Sequence, residues 1–246
     1  MRALLVTSQV TFVPRNYDDL IVGLADCPQV AGLLVLANDG WHLMAKAVAL
    51  IALGARRVGG MLVANQWGRS HVRRRCAYAA HGKPVWSLPT INHPTAARLI
   101  AEQRIDLVVN ARTRQIYRPD ILTLPRLGCL NIHHGLLPDQ RGTMCDLWAL
   151  HERVPAGFSV HQMTARVDAG PILARVEASA GADRDYLRYL AETTRRELAE
   201  LRALLAQIER QDAVAGQPNV PGPGLVYRRN PTRVQLRAMK KGGLLL

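Results

Sequence analysis

Short β-rich runs alternate with helix-like stretches over the first two-thirds of the chain, and this alternation limits the possible folds more than any other feature. "ALLVT" (Ala3–Thr7), "AGLLVLA" (Ala31–Ala37), "GGMLVAN" (Gly59–Asn65), "PVWSLP" (Pro84–Pro89), "DLVVN" (Asp106–Asn110) and "GCLNIH" (Gly128–His133) read as strands. Between them, His42–Gly54 and Arg69–Gly82 read as helices that stop at glycine, and His93–Arg104 as a helix with proline near its start. Strands alternating with helices imply an α/β fold whose mostly parallel sheet is covered on both faces. Such sheets bind ligands beyond the carboxyl ends of their strands. Two of the strands end there in polar residues, one in Asn110 and the other in Asn131 and His133.

The next stretch changes pattern. Met144–Glu152 is helix-like, while "FSVHQM" (Phe158–Met163) and "PILARVEA" (Pro171–Ala178) alternate like strands. The turn between them carries Asp168 and Gly170, so a hairpin holds a carboxylate in its connection. From Asp183 to Asp212, Leu198, Leu201, Leu205 and Ile208 recur at helical steps, a face for core packing or for a homodimer. "AGQPNVPGPG" (Ala215–Gly224) breaks regular structure, and a short strand and a last basic helix follow. These signals predict a catalytic domain over 1–182 and a C-terminal helix with a basic tail over 183–246.

Composition bounds partners and compartment. Net charge is +13, and only four of the 32 basic residues are lysines (Lys46, Lys83, Lys240, Lys241). No Asp or Glu occurs from Gln217 onward, where Arg228, Arg229, Arg233, Arg237, Lys240 and Lys241 cluster. Such a tail permits nucleic-acid binding, but a charge run is more often a solvated surface, and no specific RNA partner is expected. No apolar run of about 18 residues predicts a membrane span. The start, "MRALLVTSQV", reads as a strand and lacks the features of a signal peptide. Cys27, Cys76, Cys129 and Cys145 form no CxxC pair, which fits a reducing cytoplasm better than a disulfide framework.

Several chemistries are disfavoured by pattern. His133, His134, His151 and His161 lack HExxH spacing and a cysteine cluster, so no metal site is expected. Neither GxxxxGK[ST] nor GxGxxG follows the first strand, where "TSQVTFVPRN" (Thr7–Asn16) stands instead, which argues against ordinary nucleotide binding. No GxSxG supplies a serine nucleophile. Asn131, His133 and Asp168 remain. An amide NH2 can donate to a developing oxyanion, an imidazole can move a proton, and a carboxylate can orient that ring. Together they suit acyl transfer to an amine; a purely structural role at strand ends is the alternative.

"LNIHHGLLPDQRG" (Leu130–Gly142) and "FSVHQMTARVDAGPILAR" (Phe158–Arg175), in that order, resemble the two-part signature of formyltetrahydrofolate-dependent formyltransferases. The resemblance is clear over about Asp106 to Val176 and implies a Rossmann-like formyltransferase domain. It implies catalytic roles for Asn131, His133 and Asp168, and formyltetrahydrofolate as formyl donor. It further implies a pteridine pocket lined, mostly through backbone, by Arg112, Gln115, Ile116 and Tyr117 and by Ala165, Arg166 and Val167. His134-Gly135 replaces the family's usual Pro-Ser, and His134 reads as a solvent-facing turn residue. Arg112 stands where much of the family has a small pocket wall, placed to crowd the pteridine or to pair with the folate's glutamate tail.

The glycine-rich loop of members that modify a sugar-phosphate amine is missing, and about 70 residues after Val176 are too few for the β-barrel of methionyl-tRNA formyltransferases. A small amine is the expected acceptor, an amino sugar or a specialised metabolite. The alternatives are a formyltetrahydrofolate hydrolase, a methionyl-tRNA formyltransferase without the barrel, and a non-catalytic binding protein with a degenerate folate pocket.

Overall fold

The computed structural model describes all 246 residues. The elements in chain order are β1 (Ala3–Ser8), α1 (Asp18–Ile21), β2 (Val30–Leu36), α2 (Trp41–Ala52), α3 (Arg56–Trp67), α4 (Ser70–Ala79), β3 (Val85–Leu88), α5 (Pro94–Glu102), β4 (Leu107–Ala111), α6 (Pro119–Thr123), β5 (Cys129–His133), β6 (Arg141–Gly142), α7 (Cys145–Glu152), β7 (Ala156–Gln162), β8 (Ile172–Ser179), α8 (Tyr186–Gln211), β9 (Tyr227–Arg228) and α9 (Arg233–Lys241). The central sheet has the order β3-β2-β1-β4-β5-β7-β8. Its first five strands run parallel, and β7 and β8 join β5 as an antiparallel pair. No helix is long and apolar enough to cross a membrane.

Strand alternation sends neighbouring residues to opposite faces. On one face Leu5, Leu33, Leu130 and Phe158 join the largest apolar cluster; on the other Leu4, Val6, Leu34, Val108 and Cys129 pack with Leu99, Ile100 and Ile121. The long helix α8 lies on the first face. Its buried positions include Tyr186, Leu190, Glu197, Leu201, Leu205 and Ile208, one stripe at helical spacing. Leu236, Met239, Leu244 and Leu246 enter the same cluster as Leu5 and Phe158, so the residues beyond 182 share the core of the sheet.

One expected strand is a helix. Gly59–Asn65 lies inside α3, whose buried residues Val58, Leu62 and Asn65 fall at helical steps. The apolar triplet Met61-Leu62-Val63 resembles a strand locally. The glycine has a packing reason: a Cβ on Gly59 would stand 2.7 Å from the Ala47 carbonyl oxygen and from Ile51, so α2 and α3 cross at that point.

The segment after β1 presents no phosphate cradle. Asn16 holds it from within, accepting from the Thr11 N–H (2.7 Å) and donating to the Gln9 carbonyl (2.7 Å). Asn65 donates to the carbonyls of Thr11 and Val13, both at 2.8 Å, and Arg74 donates to that of Asn16 at 2.6 Å. Carbonyls bound by side-chain donors replace the free N–H groups that a phosphate would need.

Candidate active site

Register places a polar row across the apolar sheet. Asn110 of β4 pairs with Asn131 of β5, and Asn131 with His161 of β7. These side chains interlock. The Asn131 Oδ1 accepts from Asn110 Nδ2 at 2.8 Å, and Asn131 Nδ2 lies 3.1 Å from His161 Nε2. The other His161 nitrogen, Nδ1, is 2.9 Å from the Gln162 carbonyl, which can only accept. His161 therefore carries its proton on Nδ1 and accepts from Asn131 on Nε2. Burial, reinforced by His133, holds its pKa down at about 4, which keeps it neutral near pH 7. The Asn131 amide is thus fixed in orientation, with one N–H left over.

His133 ends β5 on the same face as Asn131. Its Nε2 lies 2.7 Å from the Gln140 carbonyl, so the Nε2 proton is held there. Its Nδ1 faces Asp168 Oδ1 at 3.5 Å. Proton exchange is then confined to Nδ1, on the carboxylate side. Gly135 is required by this packing, since a Cβ there would stand 2.7 Å from His133 Nε2 and from Cys145 Cβ.

Asp168 is buried, with φ +53. Its Oδ2 accepts from the Gly142 N–H at 3.2 Å, and its Oδ1 is also 3.7 Å from His161 Nε2. The structure therefore brings Asn131, His133 and Asp168 together, and adds Asn110 and His161 as their supports. His161 was visible in the period-two alternation of "FSVHQM", which puts it on one face with Ser159; nothing in the sequence alone joined it to Asn131.

The residues expected around the pteridine divide into two groups. Ala165, Arg166 and Val167 form an exposed loop immediately before Asp168, and Ile116 is exposed too. Their backbone and apolar surface are open to a flat ring. Gln115 is committed elsewhere: its Oε1 accepts from Thr90 Oγ1 (2.7 Å) and Ile91 N–H (2.9 Å), tying the β4 loop to the β3 end. Tyr117 is buried in the second apolar cluster, which leaves only its backbone for a ligand. Arg112 departs furthest. Its guanidinium turns inward, with Nη2 2.8 Å from His134 Nδ1, and stacks 5.4 Å from the Phe12 ring centroid and 5.6 Å from that of Tyr17. A side chain so placed neither crowds a pteridine nor reaches a glutamate tail.

His134 is likewise no solvent-facing turn residue. Its side chain is 13% exposed and its Nδ1 lies 3.2 Å from Glu197 Oε1 on α8. Alternation explains this: His133 points to the face of Cys129, and His134 to the face of α8. Burial, then the Arg112 charge, push the His134 pKa well down, while burial pushes Glu197 up to about 7. A neutral imidazole accepting from Arg112, beside a carboxyl that keeps its proton to near neutrality, is the consistent protonation of this cluster. Tyr17 donates to Glu197 Oε2 at 2.6 Å, and Tyr186 to Asp146 Oδ1 at 3.1 Å. Burial pushes the Cys129 thiol up to about 12 and raises that of Cys145 as well, which keeps both protonated near neutral pH.

The family model described as "Formyl transferase" matches residues 72–204. The chain belongs to the formyl transferase family. That match spans Asn131, His133 and Asp168 and ends within α8. Among curated proteins, a 106-residue segment is 36% identical to a methionyl-tRNA formyltransferase of Geobacter metallireducens; it makes up 43% of this chain and 34% of the relative, so about a third of the relative's length is matched. Among solved structures, the glycinamide ribonucleotide transformylase 1 of Symbiobacterium toebii superposes with a TM-score of 0.60 at 20% identity, covering 90% of this chain and 94% of that one. A sugar N-formyltransferase from Shewanella superposes with a TM-score of 0.57 at 20% identity, covering 93% and 76%. At such identity these structures show the fold: the formyl transferase α/β sheet with β7 and β8 added antiparallel.

Proposed function

We propose that this formyl transferase chain moves a formyl group from formyltetrahydrofolate to the primary amine of a small acceptor, an amino sugar or a specialised metabolite. One observation carries the reading: His133 Nδ1 faces Asp168 Oδ1 at 3.5 Å, on the sheet face that presents the spare N–H of Asn131. A gap of 3.5 Å is too long for a strong hydrogen bond, and apo sites often tighten only when substrate is present. With the Nε2 proton held by Gln140, the protonated ring carries a second proton on Nδ1, which this gap leaves free to be shared with a reacting oxygen.

In the proposed reaction the neutral amine attacks the formyl carbon, and the carbonyl π pair moves onto oxygen. The Asn131 N–H and the His133 Nδ1–H donate to that oxyanion. The carbon–nitrogen bond to the folate then breaks as the carbonyl re-forms. The proton lost by the amine is passed through His133 and Asp168 to the leaving folate nitrogen, so one proton is taken up and one returned. The backbone of 165–167 and of the β4 loop would hold the pteridine.

The test is a screen of amino sugars and other small amines with formyltetrahydrofolate, following tetrahydrofolate release. Transfer to at least one amine is expected. The donor alone should also raise the melting temperature, because a ligand that binds only the folded state stabilises it. No rise at donor concentrations far above micromolar, with no transfer, would count against the reading.

A further inference from the structure

The stretch from Gln217 to Arg229 looks structureless in sequence, yet it binds the backbone of the turn that carries Asp168. Gln217 exchanges both backbone hydrogen bonds with Ile172 at the start of β8, at 2.7 and 2.9 Å. Two residues on, the Asn219 Nδ2 donates to the carbonyls of Asp168 (3.0 Å) and Gly170 (2.8 Å). The carbonyl and Oδ1 of Asn219 both accept from Arg141 Nη2, at 2.9 and 2.8 Å. Further along, β9 pairs with β6, so that Gly142 sits opposite Arg228. The backbone passes so close that a Cβ on Gly142 would stand 2.1 Å from the Arg228 carbonyl oxygen. That same Gly142 supplies the N–H bound to Asp168 Oδ2. Trp148 Nε1 donates to the Arg229 carbonyl at 2.9 Å and anchors the far end.

The aspartate is thus held at two places. Its backbone is bound by Asn219, 51 residues away in sequence, and its carboxylate by Gly142 of β6, the strand that β9 pairs. The hold has a physical need. Asp168 adopts φ +53, a left-handed conformation that is uncommon outside glycine but that aspartate tolerates better than most residues, and the Asn219 bonds to its carbonyl and to that of Gly170 hold the turn in that shape. Arg141 reinforces the segment: it is 2% exposed, and its nitrogens donate to oxygens of Pro138, Asn219 and Tyr227. Losing the Asn219 and Tyr227 contacts would leave a buried cation under-solvated.

We infer that Asn219 is a positioning residue for the formyl transfer site, fixing Asp168 against His133 through its side-chain amide. This rests on the reading of Asp168 given above. Asn219 touches no reacting atom; it acts through the backbone of 168–170.

The test is a double-mutant cycle with the full chain. Formyltetrahydrofolate is the donor and hydroxylamine the surrogate amine, and formohydroxamate and tetrahydrofolate are both measured. Asn219→Ala and Asn219→Asp should each lower kcat by about tenfold to a hundredfold, the range that misplaced catalytic groups lose, with the donor KM little changed. Asparagine and aspartate are isosteric, and aspartate keeps the acceptors for Arg141 but lacks the N–H donors. In an Asp168→Ala background, Asn219→Ala should cost nothing further, because both changes remove the same group's action. Equal activity of Asn219→Asp and wild type would overturn the inference, as would a full additional loss in the Asp168→Ala background, which marks a general structural role. If Asp168→Ala alone leaves turnover unchanged, the reading of the active site fails and this inference fails with it; if Asp168→Ala lowers turnover while Asn219→Ala leaves it at the wild-type level, only this inference fails.

Discussion

His133 and His134 are neighbours in the chain, yet they face opposite sides of the sheet and live in opposite kinds of environment. Around His133 nearly every polar atom has a defined partner: Asn110, Asn131, His161, Gln140 and Asp168 form a closed set from β4, β5, β7 and two loops. Around His134 the groups are less satisfied. The Arg112 Nε, His134 Nε2 and Glu197 Oε1 atoms are buried without a hydrogen-bond partner. Satisfied polar groups with fixed tautomers suit proton movement on demand, because nothing must reorganise first. A charge-rich but incompletely bonded cluster suits a different task, joining α8 to the ends of β4 and β5, and it is costly to disturb.

The comparison breaks most visibly if activity and stability fail to separate. Asn131→Ala removes the proposed oxyanion donor and should cut transfer by about 10²–10³-fold, while shifting the melting temperature only modestly. Arg112→Met should do the reverse. Removing one member of a buried charged cluster costs about 3–5 kcal/mol, read by urea denaturation. Donor affinity should stay near wild type, since the guanidinium packs inward against Phe12, Tyr17 and His134. A loss of folate binding with intact stability would place Arg112 in the pocket after all.

Titration sharpens the contrast further. Glu197 keeps its proton in the fold to about pH 7, above its ordinary value of 4.5. Between those values the native state binds more protons than the unfolded chain, so this group makes stability fall as pH rises from 4.5 to 7. Glu197→Gln should therefore gain on wild type by about 2–3 kcal/mol between pH 5 and pH 8. His161, held down at about 4, acts with the opposite sign: it loses stability as pH falls from 6.5 towards that value. A Glu197→Gln variant whose stability tracks wild type across this range would mean that the carboxyl is already ionised in the cluster.

The smallest expected effect lies farthest from both regions. Thr232 caps α9, accepting from the Gln235 N–H while Gln235 returns a bond to the Thr232 N–H. Thr232→Ala should cost about 1 kcal/mol and leave turnover unaltered. A large loss of activity would show that α9 acts on the site.

The sequence carried much of this fold because period and punctuation are local. The parallel strands β1 to β5 and the β7–β8 pair follow from apolar runs bounded by turn residues, and the family signature joins Asn131, His133 and Asp168. What escaped depends on contacts made across long separations. The α3 segment resembles a strand because Met61-Leu62-Val63 is apolar in a row, while its helical burial is decided at a distance, by Val10 and Ala47 at Leu62 and by the Thr11 and Val13 carbonyls at Asn65. His134 read as exposed because the helix that covers it, at Glu197, begins more than fifty residues later. Asn219 had no signal: it lies among prolines and glycines, and its importance comes from the carbonyls of Asp168 and Gly170 and from Arg141, none of which it neighbours in sequence.

The central claim is that His133 and Asp168 move the proton in formyl transfer, and single-turnover kinetics test it directly. With formyltetrahydrofolate and an amine that the wild-type chain formylates, His133→Ala and Asp168→Asn should each slow tetrahydrofolate release at least about a hundredfold, with folded structure preserved by circular dichroism. Near-normal release by either folded variant would contradict the account.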